Sequence, residues 1–206
     1  MAHLLYAKEE LLPQSTFSAG GGPEAALPPP PPAAALKPPS SEPSFLIGDI
    51  GGTHMRFWVV PCVAPCYPTP AQASFATSYA TASFANVVDA FTTLRQDLAQ
   101  HNVHESSIAR CTLAVCGPVI DGRAVCLGPS MGPTGWVIDE RVAAATLGIA
   151  PEGKCRIIND FVAVGLALPL VRHAAHVVHP GDGIDDDAPM ACIGPGTGLG
   201  ECLCIP

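Results

Sequence analysis

Proline decides where this chain can fold. Ten of its 23 prolines precede Phe45, five of them consecutive from Pro28 to Pro32, and Gly20-Gly21-Gly22 adds a run without side chains. A proline run has a fixed φ and no backbone donor, so it favours an extended polyproline II rod and cannot close a core. Residues 1–44 are therefore expected to form a disordered, solvated Pro/Gly-rich tail, confining the fold to residues 45–206. Those roughly 160 residues suffice for one core that buries on the order of 70% of the unfolded surface. The tail reads first as a spacer. Docking in a groove for proline-rich peptides and organelle targeting are its alternative uses. With two lysines, four glutamates and no arginine, it fits a mitochondrial presequence poorly.

Ten basic and 18 acidic residues give a formal net charge of −8. Such a field repels nucleic-acid phosphates and anionic lipid, so neither nucleic acid nor a membrane is an expected partner. Nothing approaches the run of about 18 apolar residues that spans a bilayer. Nine cysteines at irregular spacing, with no secretory-signal pattern ahead of them, point to a reducing, cytoplasmic compartment where thiols pack as small hydrophobes. Cys62 with Cys66, and Cys202 with Cys204, lack the second pair a zinc site needs. His173, His176 and His179 precede the acidic run Asp185-Asp186-Asp187. Pro180 and Val177-Val178 favour a strand there, on which successive side chains point to opposite faces, so the region reads as a solvated loop rather than a metal site. Trp58 and Trp136 read as core residues.

Short apolar runs punctuated by Gly and Pro alternate with helical patterns. Phe45 to Ile50 and Met55 to Val60 read as strands joined by the tight turn Gly51-Gly52-Thr53-His54, and Gln72 to Tyr79 as a third strand. Ser83 is placed to cap a helix carrying Phe84, Val87, Val88, Phe91, Leu94 and Leu98 on one face. Cys111 to Cys116 suits a buried strand, and Asp121-Gly122 a hairpin turn into Arg123 to Leu127. Asp139 caps a helix over 140–147 that Gly148 ends. Cys155 to Ile158 is a further strand, followed by Asn159-Asp160 and a helix from Phe161 to Leu168 stopped by Pro169. Met190 to Ile193 and Glu201 to Ile205 close the series around a glycine loop. The order is mixed α/β, one sheet carrying helices.

Three features carry chemistry. Asp49-Ile-Gly-Gly-Thr53 ends an apolar strand, where paired glycines allow a sharp turn and let amide N–H groups approach phosphate. Thr53 adds a hydroxyl donor, and Asp49 suits a hydrated Mg²⁺; an ordinary hairpin turn is the competing reading. Gly194-Pro-Gly-Thr-Gly-Leu-Gly200 repeats the glycine solution after another strand. It is neither a Walker A loop nor a dinucleotide fingerprint, because no Gly-Lys-Ser/Thr follows and Leu199 stands where the third glycine belongs, so NAD is not expected. Between them, Asp160 emerges at the end of a buried strand, where a carboxylate can take a hydroxyl proton during attack on phosphorus or simply cap the next helix.

Together these patterns resemble the bacterial-type glucokinase family of the actin, Hsp70 and sugar-kinase superfamily, over about residues 45–206. Leu46-Ile-Gly-Asp-Ile-Gly-Gly-Thr-His-Met-Arg56 is similar to its first phosphate loop, Ile157-Ile-Asn-Asp-Phe-Val-Ala-Val164 to its sugar-site strand and helix, and Ile193-Gly-Pro-Gly-Thr-Gly-Leu-Gly200 to its second phosphate loop. The resemblance implies a ribonuclease H-like mixed sheet with helices, the N-terminal lobe of the actin-like ATPase fold. It implies ATP-dependent phosphorylation of glucose at the 6-hydroxyl, feeding glycolysis, with Asp160 as general base and Asn159 as a partner of the sugar. Gly51, Gly52 and Thr53 would face the transferring phosphoryl group, Gly196, Thr197 and Gly198 would cradle the nucleotide phosphates, and Asp49 would organise Mg²⁺ through water. A homo-oligomer is an option for the full-length family.

The sequence also departs from the family. His54 stands where the family usually has Asn, and Leu127 to Gly135 ahead of Trp136 replaces a Thr-Asn pair. The sugar-gripping Glu and His and the second lobe expected after the second loop have no counterpart before Pro206, so the chain is expected to be a truncated glucokinase with little activity alone. A non-catalytic sugar- or nucleotide-sensing module is the competing class, and a scaffold recruiting partners through the tail a third.

Overall fold

The computed structural model describes residues 43–62, 72–149, 153–171, 187–195 and 199–205. The tail up to residue 42, Cys66, His173, His176, His179, Asp185, Asp186 and the loop residues Gly196, Thr197 and Gly198 lie outside the described residues. The chain forms β1 (Ser44–Ile50), β2 (His54–Pro61), β3 (Phe75–Ala80), α1 (Val87–Gln100), β4 (Ile108–Val115), β5 (Val119–Ile120), β6 (Arg123–Cys126) and β7 (Trp136–Asp139). It continues with α2 (Glu140–Leu147), β8 (Cys155–Asn159), α3 (Asp160–Val171), β9 (Met190–Pro195) and β10 (Leu199–Cys204).

β1 to β3 follow the expected antiparallel opening, Asp49 facing Arg56 and Ile50 facing Met55 across the turn. β4 runs parallel to β1 and β8 parallel to β4, giving a five-stranded sheet of order β3-β2-β1-β4-β8. The register is what matters for function. Ile50 lies beside Val115, and Val115 beside Asn159, so three strands pointing the same way end in one row. Instead of one sheet, the described residues form three: β5-β6-β7 and β9-β10 pair separately. β7 was not foreseen, because four residues between turn formers and a helix cap leave too short a stretch for alternation to register.

One face of the main sheet is dry. Leu46, Ile50, Met55, Phe57, Leu113 and Val115 pack there against Phe91, Leu94 and Leu98 of α1 and Leu147 of α2, all at most 1% exposed. The cap of α1 is Asn86, whose side chain accepts from the Asp89 amide at 3.0 Å, and not Ser83, which lies in a 3₁₀ turn over Thr81–Ser83. That turn leaves Phe84 extended ahead of the helix, where its ring meets Tyr79 edge-on. Asp139 and Gly148 bracket α2 as expected, Gly148 at φ 71°. Asp121 and Gly122, at φ 50° and 73°, make the tight hairpin between β5 and β6. Trp136 is core at 5% exposure, whereas Trp58, on the opposite face of β2 from Phe57, is only half-buried. The thiols divide similarly: Cys111, Cys126 and Cys155 are buried, Cys116, Cys192, Cys202 and Cys204 half-buried, and Cys62 exposed.

Pro169 does not stop α3, which continues to Val171. A proline inside a helix deprives the carbonyl four residues earlier of its donor. Here that carbonyl, on Gly165, accepts from the Cys204 thiol at 3.2 Å. Gly165 also brings the hairpin β9–β10 close, since a Cβ there would lie 3.1 Å from Cys204 Sγ and 3.2 Å from Cys202 Sγ. Among the described residues, no helix is long and apolar enough to cross a membrane.

The capping analysis fixes a stability expectation. Asp139 Oδ1 accepts from the amides of Arg141 at 2.8 Å and Val142 at 3.2 Å. Asp139→Ala should destabilise the fold by about 1 kcal/mol, read as a lower urea midpoint at unchanged slope.

Candidate functional site

The row of strand ends gathers the chemistry-bearing residues. At the end of β1 the chain turns through Gly51 to Thr53, held by Gly51 N donating to the His54 carbonyl at 2.9 Å. His54 contributes its backbone to that bond, so its side chain can differ from the family's Asn without loosening the turn. Neither Gly51 nor Gly52 has a positive φ, so backbone conformation does not demand glycine here. Close approach does at Gly52: a Cβ on Gly128 would lie 2.5 Å from Gly52 Cα, and one on Gly52 3.0 Å from Gly128 Cα. The divergent segment 127–135 thus rests directly on the first glycine loop.

Thr81, which sequence reasoning passed over, fixes that loop from the other side. Fully buried, it donates its hydroxyl to the Gly51 carbonyl and its amide to the Thr53 carbonyl, each at 2.9 Å. Its signal was weak, since a threonine after a strand carries no motif. Arg56 was also given no role. Its partner in the β1–β2 register is Asp49, and Arg56 Nη1 sits 3.2 Å from Asp49 Oδ2. The turn length between two strands contains that pairing, because it fixes which residues face each other.

At the end of β8, Asn159 and Asp160 divide the work. Asn159 Oδ1 accepts from the amides of Phe161 at 3.0 Å and Val162 at 3.2 Å, making Asn159 the cap of α3. Its Nδ2 donates to the Gly117 carbonyl at 3.1 Å and to Asp160 Oδ1 at 2.9 Å. Both ends of the amide are therefore fully used. Asp160 Oδ1 also accepts from Phe161 N at 2.9 Å, so the acid shares in the cap while Asn159 carries most of it.

The charge on Asp160 reaches Asp49. Burial pushes the Asp49 carboxyl above its ordinary range, Arg56 pulls it back, and the charge on Asp160 raises it again. Burial likewise raises Asp160, against hydrogen bonds from the Phe161 amide, its own amide and Asn159. Cys116, just past β4, senses both carboxylates, and its thiol pKa is lowered chiefly by the hydrogen bond it receives from Cys126. Two carboxylates and a glycine turn thus share one half-buried edge.

The flanks of the second glycine loop reach the same place. Phe161, the residue after Asp160, lies where a Cβ on Gly194 or Gly200 would stand: 2.7 Å from the former, and within contact distance of the latter. β9 and β10 thus close over the first turn of α3, with Pro195 and Leu199 paired at the mouth of the loop. Among the described residues, no three His, Cys, Asp or Glu side chains cluster to hold a metal ion. A hydrated Mg²⁺ arriving with phosphates needs only one or two carboxylates, and the half-buried Asp49 beside the turn is a carboxylate of that kind.

Comparison with known proteins agrees with this geometry. The glucokinase family model matches residues 46–206. A glucokinase from Synechocystis sp. is 30% identical over 165 residues, covering 79% of this chain and 44% of the relative. The chain thus spans less than half the length of that curated relative. Among solved structures, a glucokinase from Balamuthia mandrillaris in complex with glucose is 15% identical with a TM-score of 0.59, over 79% of this chain and 44% of that one. An inorganic polyphosphate/ATP-glucomannokinase from Arthrobacter sp. is 18% identical with a TM-score of 0.54, over 80% and 59%. These two establish the fold as that of the sugar kinases. With the family model matched from β1 through β10, the chain belongs to the glucokinase family.

Proposed function

We propose that the protein transfers a phosphoryl group from ATP to the 6-hydroxyl of glucose, with Asp160 as the general base. The observation that carries this reading is the convergence, at one row of strand ends, of the Gly51–Thr53 turn, the Asp160 carboxylate and the Phe161 seat for the flanks of the second glycine loop. Ionised Asp160 takes the hydroxyl proton as the sugar oxygen bonds to the γ-phosphorus, and the bond from that phosphorus to the bridging oxygen breaks to release ADP. Little covalent work falls to the protein, so positioning and charge stabilisation dominate.

Gly51, Gly52 and Thr53 face the transferring group, Gly52 and Thr53 with amides and Thr53 also with a hydroxyl, while the Gly51 amide closes the turn on the His54 carbonyl. Gly196, Thr197 and Gly198 cradle the remaining phosphates. Asn159 orients Asp160 through its Nδ2 and reaches a sugar hydroxyl by releasing the Gly117 carbonyl. Asp49 would hold Mg²⁺ through water, and the ion would offset phosphate charge. The glucose in the Balamuthia structure and the ATP named for the Arthrobacter enzyme support this substrate pair. Residues 45–206 act as one lobe of a two-lobed cleft in a cytoplasmic enzyme. More than half of the Synechocystis relative has no counterpart in the match, so the 206 residues alone are expected to turn over slowly.

Glucose-dependent ADP release and ATP binding, measured together at high protein concentration, test the assignment. Asp160→Asn should cut the rate by about 10² to 10⁴ and leave ATP affinity within twofold. Equal loss of both would make Asp160 a helix cap only, and ligand binding with no turnover by the unmodified protein would favour a sensor. The pH profile is a second check. The base works only when ionised and its pKa is raised, so activity should fall on acidification at a pH above the ordinary carboxylate value of about 3.9. The same burial disfavours the charge, so Asp160→Asn should not lower the melting temperature.

A further inference from the structure

The hairpin β9–β10 carries three thiols on one face. Along both strands half-buried and exposed positions alternate, and Cys192, Cys202 and Cys204 all fall on the half-buried face with Gly194 and Gly200. Their roles differ. Cys204 donates to the Gly165 carbonyl left open by Pro169, so its S–H is occupied. Cys202 is the direct cross-strand partner of Cys192. Facing residues of an antiparallel pair have Cα atoms about 4.5–5.5 Å apart, inside the span a disulfide bridges without backbone movement. Cys202 and Cys204, two apart on one extended strand, are separated by about 6.6 Å, near the limit of that span.

We infer that Cys192 and Cys202 form a peroxide-sensitive dithiol that closes to a cross-strand disulfide at the base of the second glycine loop. One thiolate attacks a peroxide oxygen, the O–O bond breaks, and the sulfur becomes a sulfenic acid while hydroxide leaves and is protonated to water. The facing thiol attacks that sulfur, the S–S bond forms, the S–O bond breaks, and a second water departs. Hydrogen peroxide is thereby reduced to two waters and the two thiols are oxidised. Three other thiol pairs lie close together: Cys202 also hydrogen-bonds Cys204, whose S–H is engaged by the Gly165 carbonyl, and accessibility separates the remaining two. Cys111 and Cys155 face each other across β4 and β8 but are each 1% exposed, and Cys126, beside Cys116, is fully buried. Among the described residues, only Cys192 and Cys202 are facing thiols that solvent reaches on both sides. The inference does not depend on the kinase assignment.

Peptide mapping of the reduced 206-residue protein after brief hydrogen peroxide treatment and alkylation tests it. The expected product is a linked peptide joining Cys192 to Cys202, lost on treatment with dithiothreitol, while Cys111, Cys126 and Cys155 remain as thiols. In Cys202→Ser the linked peptide should disappear and Cys192 should be trapped as a sulfenic acid by dimedone, since burial and the neighbouring thiols hold the Cys202 thiol above its ordinary range. Full alkylation of Cys192 and Cys202 after peroxide, a link from Cys202 to Cys204 instead of Cys192, or earlier closure of Cys111 with Cys155 or of Cys116 with Cys126, would overturn the inference.

Discussion

The candidate site depends on the parallel ladder that β4 makes with β1 on one side and β8 on the other. Because these three strands run the same way in matched register, Ile50, Val115 and Asn159 end side by side, and whatever follows each strand is delivered to one edge. A one-residue slip would turn Asp49 into the dry core and carry its pairing with Arg56 away from the site. The apolar packing of α1 and α2 against the buried face is what makes such a slip costly. Site geometry here is thus a consequence of core packing on the reverse side of the same strands.

On that edge, polar groups of the protein hold one another. Thr81 fixes the first turn through two backbone carbonyls, and the Asn159 amide joins Gly117, Asp160 and the first amides of α3. The first turn and the start of α3 are thus pinned by this chain's own side chains. The carboxylates are the unsettled component. Burial raises both, and the charge on Asp160 raises Asp49 further, so the native fold disfavours charge at both positions.

What could be read from the chain follows the range of the interactions. The β1–β2 turn, both ends of α2 and the Asp121-Gly122 hairpin were legible because a few adjacent residues determine them. The reason for Gly52 was not: paired glycines suggested freedom to turn, whereas the contact with Gly128 comes from 76 positions along the chain. Ser83 looked like a cap because serine is a good one, but the 3₁₀ turn left that task to Asn86. Asp160 was legible as either a base or the cap of α3, and only the hydrogen bonds showed that Asn159, not offered as a cap by local reading, carries most of that task. The family resemblance supplied the roles that local reading could not, through three motifs that converge only after folding.

Pro169 shows how a local defect becomes a distant dependence. The helix survives it because a sulfur on another element supplies the donor that the backbone lacks. A thiol is a weak donor, and the bond is lost if the hairpin lifts away. The last turns of α3 and the β9–β10 pair should therefore open and close as one cooperative unit in hydrogen exchange, coupling the span from Asp160 to Cys204 more tightly than chain order suggests.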